Sequence, residues 1–201
     1  MKIPLFPLDT VLFPGAPLPL HIFEDRYREM IRLCIAQERP FGVVRAQREG
    51  LAVVGCTAIV VRVLHQYADG RSDILTQGVE RFEIEQLDDS YSYLQAEVDF
   101  LPDTGGVAPR SAREECMALH FEALELLGAV EPSLSLNLDE PISYLLAATL
   151  PSDLTFQQEL LTTRSDAERT QRLLTYYRAM LPKLRRGVQA SQRAATNGHV
   201  M

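Results

Sequence analysis

Apolar and polar residues alternate along the first half of the chain and recur at helical spacing along the second. The alternation is strict from 94 to 100. Leu94, Ala96, Val98 and Phe100 fall on one side, and Gln95, Glu97 and Asp99 on the other, which predicts a half-buried strand. "RFEIEQL" (81–87) alternates apolar and acidic residues in the same way. "FGVVRA" (41–46) and "LAVVGCTAIVVRVLHQY" (51–67) are β-branched runs, and Asp69-Gly70 after the second supplies a hairpin turn before "SDILTQG" returns. Such a succession of short strands predicts a small barrel or curled sheet.

One helix interrupts the strands early. Tyr27, Met30, Ile31, Cys34 and Ile35 follow the i, i+3, i+4, i+7, i+8 spacing of one buried face. Glu24 and Asp25 are expected in its first turn, where the helix dipole favours acids, and Pro40 follows its end. Past "PDTGGVAP" (102–109), a linker or exposed loop by composition, the pattern turns helical. Ser111/Glu114, Thr155/Gln158 and Ser165/Glu168 match the capping box, and Pro141 suits the first turn of a further helix. Met117, His120, Phe121, Leu124 and Leu127 share one face of the helix that starts near Ser111. The expected division is a β-rich unit over 1–104, a helical unit over 105–185 and a flexible basic tail over 186–201.

The segment "FPLDTVLFPGAPLPLHIFEDRY" (6–27) fits neither period. Its prolines exclude a simple helix or a central strand, and its apolar content excludes a solvated tail. It reads as architecture: an edge strand, a turn at "FPGAP", and a return to the first helix.

Charge narrows the partners. The net charge is −7, and all 27 acidic residues against 16 basic ones lie in residues 1–182, a balance of −11. An acidic body repels phosphate backbones and argues against nucleic acid. No apolar run is long enough for a membrane span, and no signal-peptide pattern opens the chain. The three cysteines (Cys34, Cys56, Cys116) are odd in number and form no CxxC, so buried thiols in a reducing cytoplasm are expected rather than disulfides or zinc.

Catalytic patterns are missing. The two lysines, Lys2 and Lys183, follow no phosphate-binding loop, and there is no GxSxG, HExxH, EF-hand or dinucleotide fingerprint. His21, His65, His120 and His199 have no partner at metal-ligand spacing. His120 on an apolar helix face reads as a satisfied core histidine, and His21 as a structural hydrogen-bonding group. Asp88-Asp89 reads as a hairpin loop rather than a catalytic pair. No catalytic residue, metal or cofactor is expected.

Several motifs together resemble the N-terminal (LON) domain of ATP-dependent Lon proteases. They are Phe13-Pro14-Gly15, Pro19-Leu20, Phe23-Glu24 and Arg26-Tyr27 in the opening segment, and "GCTA" at 55–58. Asp69, Gly70 and Arg71 in the hairpin, and Gly78, Arg81 and Phe82 after it, follow in the family's order. "YLLAATLPSDLTFQQELL" and "ERTQRLLTYYRAML" resemble its helical part. The resemblance implies an α+β fold, a PUA-like β pseudo-barrel carrying one helix and followed by a helical bundle. It implies a free-standing module without the ATPase or protease domains, which holds protein substrates.

The expected function is therefore non-catalytic binding of unfolded or exposed protein segments, as an adaptor in proteolysis. A groove between the two units or an apolar patch on the barrel is the expected surface. Asp25, Arg28, Glu29 and Arg32, the polar residues that miss the buried face of the first helix, are the candidate contacts; a solvated helix face is the competing reading. The alternatives are a small-molecule binder or enzyme that reuses the fold, and RNA binding. Glu24 is expected to pair with Arg81, with Arg26 as the other candidate.

Overall fold

The computed structural model describes residues 1–129, 137–150 and 152–197. Strands come first: β1 (Lys2–Leu8), β2 (Pro17–Ile22), helix α1 (Asp25–Ala36), β3 (Phe41–Gln47), β4 (Gly50–Leu51), β5 (Val54–Gln66), β6 (Ser72–Asp88) and β7 (Gln95–Phe100). Helices follow: α2 (Arg110–Leu126), α3 (Ser143–Thr149), α4 (Leu154–Thr162) and α5 (Asp166–Asn197). No helix among the described residues is long and apolar enough to cross a membrane.

The sheet curls back on itself. Antiparallel pairing runs β1–β7–β6–β5–β3, and β1 also pairs with β3 in parallel, with Leu5 opposite Gly42 and Leu8 opposite Arg45. This is the pseudo-barrel. The inward residues of the alternation, Ile3, Leu5, Val44, Phe82, Ala96 and Val98, form one buried cluster. "SDILTQG" and "RFEIEQL" prove to be one strand, β6, whose extra residues between Gly78 and Arg81 bulge opposite Thr57. The Thr57 hydroxyl fills the bulge: it donates to Glu80 O (3.2 Å) and accepts from Glu80 N (3.1 Å).

The proline-rich opening is stitched to that same point. Gly15 turns the chain at φ 79°, its N–H donates to Gly78 O (2.9 Å), and Gly78 N donates to Ala16 O (2.9 Å). A Cβ at Gly78 would lie 2.2 Å from the Phe13 carbonyl oxygen, so only glycine permits this approach. β2 then pairs with the distal half of β6, Pro17 opposite Gln77 and Pro19 opposite Leu75. A proline loses no ladder bond there only if its nitrogen faces away from β6.

α1 buries Tyr27, Met30, Ile31 and Cys34 in a larger cluster shared with Phe6, Phe41, Ile74 and the helices; Ile35 of the expected face remains half-exposed. Glu24 is the residue before the helix rather than part of its first turn. In α2 the buried face is Cys116, His120, Ala123 and Leu124, while Leu127 is exposed. His120 packs against α5 with both ring nitrogens bonded: Nδ1 to the Tyr177 hydroxyl (2.8 Å) and Nε2 to Thr149 Oγ1 (3.1 Å).

One capping-box match holds and two do not. Glu168 N donates to Ser165 Oγ (3.3 Å) at the start of α5. At α4 the cap is Asp153, which accepts from Thr155 N and Phe156 N, because a carboxylate two residues earlier outcompetes the Thr155 hydroxyl. α2 starts after Pro109 with no side-chain cap, and Pro141 precedes α3 instead of entering it. The expected tail is also different: residues 186–197 continue α5, since runs of Gln, Ala and Arg favour helix without any apolar period.

Candidate protein-binding surface

Two arginines from different halves of the chain meet at one carboxylate. Arg81, on β6, donates to Leu161 O, Thr163 O (both 2.8 Å) and Leu101 O (2.9 Å), and pairs with Asp103 at 2.7 Å. Arg169, on α5, donates to the two oxygens of Asp103 at 2.9 and 2.5 Å and lies 3.7 Å from the centre of the Tyr144 ring. Its Nε donates to Ser143 Oγ (3.0 Å), which donates to Asp166 (2.7 Å). Burial opposes the Asp103 charge, but the bonds and charges of Arg169 and Arg81 prevail and hold its carboxyl below the usual range. The expected linker is thus strapped down: Thr104 N donates to Arg164 O and Ala108 N to Asp166.

The Glu24–Arg81 ion pair is therefore not formed. Glu24 pairs with Arg26 at 2.8 Å, the alternative partner, because Arg81 is drawn into the junction by the carbonyls at the end of α4. Arg26 also lies over the Tyr27 ring (4.6 Å), and Tyr27 packs on Phe6. Pro14, Gly15, Pro19, Gly70 and Gly78 sit in turns, an edge strand and a close approach.

A cleft of about 970 Å³ runs between the β3–β4 turn and α4–α5. It is lined by charge: Arg45, Arg48, Arg164 and Arg172 against Asp9, Glu159 and Glu168, with Arg172 paired to both glutamates. Its side-chain hydroxyls are threonines, and neither His nor Cys lines it. Among the described residues, no group of three or more His, Cys, Asp or Glu side chains converges as metal ligands would.

A second cleft, about 600 Å³, lies between α1 and the β5–β6 hairpin. Ile31, Ile35, Ala36 and Val63 give it apolar walls, and Arg28, Glu29, Arg32 and Gln66 its polar rim. Three of the four sequence candidates thus fall on one cleft. Asp25 does not line it but pairs with Arg28, whose Nη1 also donates to Asp69 O (2.6 Å) at the hairpin tip. Glu29 accepts from Ser92 Oγ (2.9 Å), and Arg32 is exposed.

The cleft exists because the cover over the hairpin stops short. Val63 stands opposite Ile74, which is fully buried in the same cluster as Tyr27, Met30 and Ile31 of α1. Val63 itself is 44% exposed, and Ile59 (42%), Val61 (53%) and Leu64 (47%) extend an apolar run along β5. Past Ala58, β3 no longer accompanies β5, so Ile59–Gln66 pairs with β6 alone. Sequence reasoning missed this edge because the β-branched run looks equally buried along its length. The available signal was a mismatch: β3 is much shorter than β5.

His21, Asp73 and Asp88 are satisfied by near neighbours. His21 Nδ1 is 2.6 Å from Asp73, which also accepts from the Tyr67 hydroxyl (2.8 Å); these bonds lower the Asp73 pKa. Asp88 bonds Lys2 and the Ser90 N–H at the β6–β7 turn, as a hairpin residue would. The three cysteines are free and buried, and burial pushes their thiols up, Cys34 to about 11 and Cys56 and Cys116 to about 12.

Comparison with known proteins gives this arrangement relatives. The profile of the ATP-dependent protease La (LON) substrate-binding domain matches residues 2–178. The Lon protease of Parabacteroides distasonis is 31% identical over 193 residues, covering 86% of this chain and 23% of that protein. That of Paraburkholderia phytofirmans is 30% identical over 128 residues, 60% of this chain and 16% of that protein. The chain thus spans a quarter or less of the length of these curated relatives. Among solved structures, the Lon N-terminal domain protein from Xanthomonas campestris superposes with a TM-score of 0.71 at 25% identity, covering 88% of this chain and 98% of that one. The N-terminal domain of the Mycobacterium avium complex Lon protease, at 17% identity and a TM-score of 0.62 over 88% of this chain and 98% of that one, shares the fold.

Proposed function

The chain belongs to the LON substrate-binding domain family, and from that premise we propose that it is a non-catalytic module that binds exposed or unfolded segments of other proteins. It serves proteolysis as an adaptor, presenting such segments to a separate protease. The observation that carries this reading is the cleft between α1 and β5. Ile35 and Val63 remain exposed there, Ile59, Val61 and Leu64 extend the apolar run along β5, and exposed apolar surface of this kind marks an interaction site. The rim supplies charged groups that can orient a bound chain without any nucleophile–base pair among its lining residues. Free, buried thiols support a cytoplasmic setting.

Retention by the immobilised chain tests the reading. A reduced and carboxymethylated model protein should be held, and its native form should pass. Equal passage of both forms would sink the proposal.

A further inference from the structure

We propose that the open edge of β5, Ile59–Gln66, takes a segment of the bound polypeptide as an added β-strand, apolar at its centre and acidic at its flanks. This rests on the protein-binding reading above and names the conformation and chemistry of the bound segment.

The distal hairpin is a three-stranded arm, β2–β6–β5, with two unlike edges. At β2 the outer edge carries Pro17 and Pro19, which offer no N–H to a further strand. At β5 the outer edge has no proline over eight residues, about 26 Å of extended chain. One edge is blunted and the other is left able to pair, and main-chain pairing at such an edge is a recurring way to hold an extended peptide.

The side chains along that edge fit an apolar strand. The β5–β6 register slips between Val60 and Arg62 and again between Val63 and His65, so Val61 and Leu64 have no partner opposite them on β6. Both are apolar and about half exposed. Val63 and Ile35 line the cleft beside this edge, where an incoming strand's side chains would cover them.

Charge selects the occupant. Arg32 on the rim and Arg62 on β5 are exposed and join no ion pair among the described residues, whereas Glu29 is engaged by Ser92. A basic rim on an acidic protein favours acidic flanks on the bound segment. It also disfavours a second copy of this chain, since two β5 edges laid together would oppose Arg62 to Arg62.

The probe is a fluorescein-labelled peptide of alternating valine and threonine with aspartate at each end, followed by anisotropy. N-methylation at every second residue removes the main-chain donors on one edge of the peptide. One phase of methylation should weaken binding at least about tenfold and the opposite phase much less. Amide exchange should slow at 59–66 when peptide is bound, and lysines in place of the aspartates should weaken binding. Val61→Lys with Leu64→Lys, at positions without cross-strand partners, should abolish it. Equal binding of both methylation phases, protection confined to other strands, or dimerisation through β5 that peptide does not compete would each overturn the proposal. If the double variant still retains the carboxymethylated protein, strand addition fails and protein binding stands; if the unaltered chain retains none, both fail.

Discussion

Asp103 and Arg169 meet through both carboxylate oxygens, with Arg169 wholly buried and the Asp103 side chain 32% exposed. Because Arg81 shares the same carboxylate, Asp103→Ala strands two buried guanidinium groups at once. Removing one member of a buried pair costs about 3–5 kcal/mol; partial access of water to Asp103 places this variant near the lower end. Urea denaturation should show a fall of about 3 kcal/mol, and Asp103→Asn should recover part of it.

Gly78→Ala should be as damaging for a different reason. The new Cβ would stand 2.2 Å from a backbone oxygen that cannot rotate away, so the turn at Gly15 must detach from β6. A loss of at least about 3 kcal/mol is expected, read as a lower thermal midpoint.

His120 makes stability depend on pH. The Thr149 hydroxyl donates to Leu145 O, so His120 Nε2 donates to Thr149 and Nδ1 accepts from Tyr177. A second proton would place a charge inside the core and turn the Tyr177 hydroxyl from donor to acceptor, and burial lowers the His120 pKa from 6.5 to about 4. The unfolded chain takes up a proton near pH 6.5 while the folded chain resists until about 4. Its contribution is therefore complete above that window and declines as pH falls through it, by about 3 kcal/mol in all. Urea midpoints from pH 7.5 to 4.5 should follow this slope, and His120→Gln should flatten it.

The cysteines should be silent until the chain opens. With the thiols raised to about 11 and 12 and all three side chains buried, an aromatic disulfide reagent at pH 8 should titrate almost none in the folded state and all three in denaturant. Fast reaction of any thiol in the native protein would contradict the packing described.

Periodicity made the elements legible wherever one face of a strand or helix meets water. Ala96 and Val98 of β7 and Tyr27, Met30, Ile31 and Cys34 of α1 are buried as their spacing predicts, while Phe100 and Ile35 at the ends of the two patterns stay exposed, and three of the four polar α1 candidates fall on a single cleft. Long-range polar relationships could not be read. Arg81 was visible as a marker, but its partners, Asp103 and the carbonyls of Leu161 and Thr163, lie 22 to 82 positions away and belong to segments of unremarkable composition. The open edge of β5 was hidden for a related reason: whether a strand has a neighbour is a property of other strands. The cap expected at Thr155 failed because Asp153 lay close by, whereas α2 starts without any side-chain cap.

β1 has two neighbours made at very different times. Its parallel partner, β3, follows by residue 45, whereas its antiparallel partner, β7, is complete only when Glu97 has been added opposite Lys2. At about 5–20 residues per second on the ribosome, β1 waits some seconds with one side unpaired. The strand that precedes every other element of the fold is thus among the last to be sealed, and the vulnerable interval in this protein's life falls before α2–α5 exist.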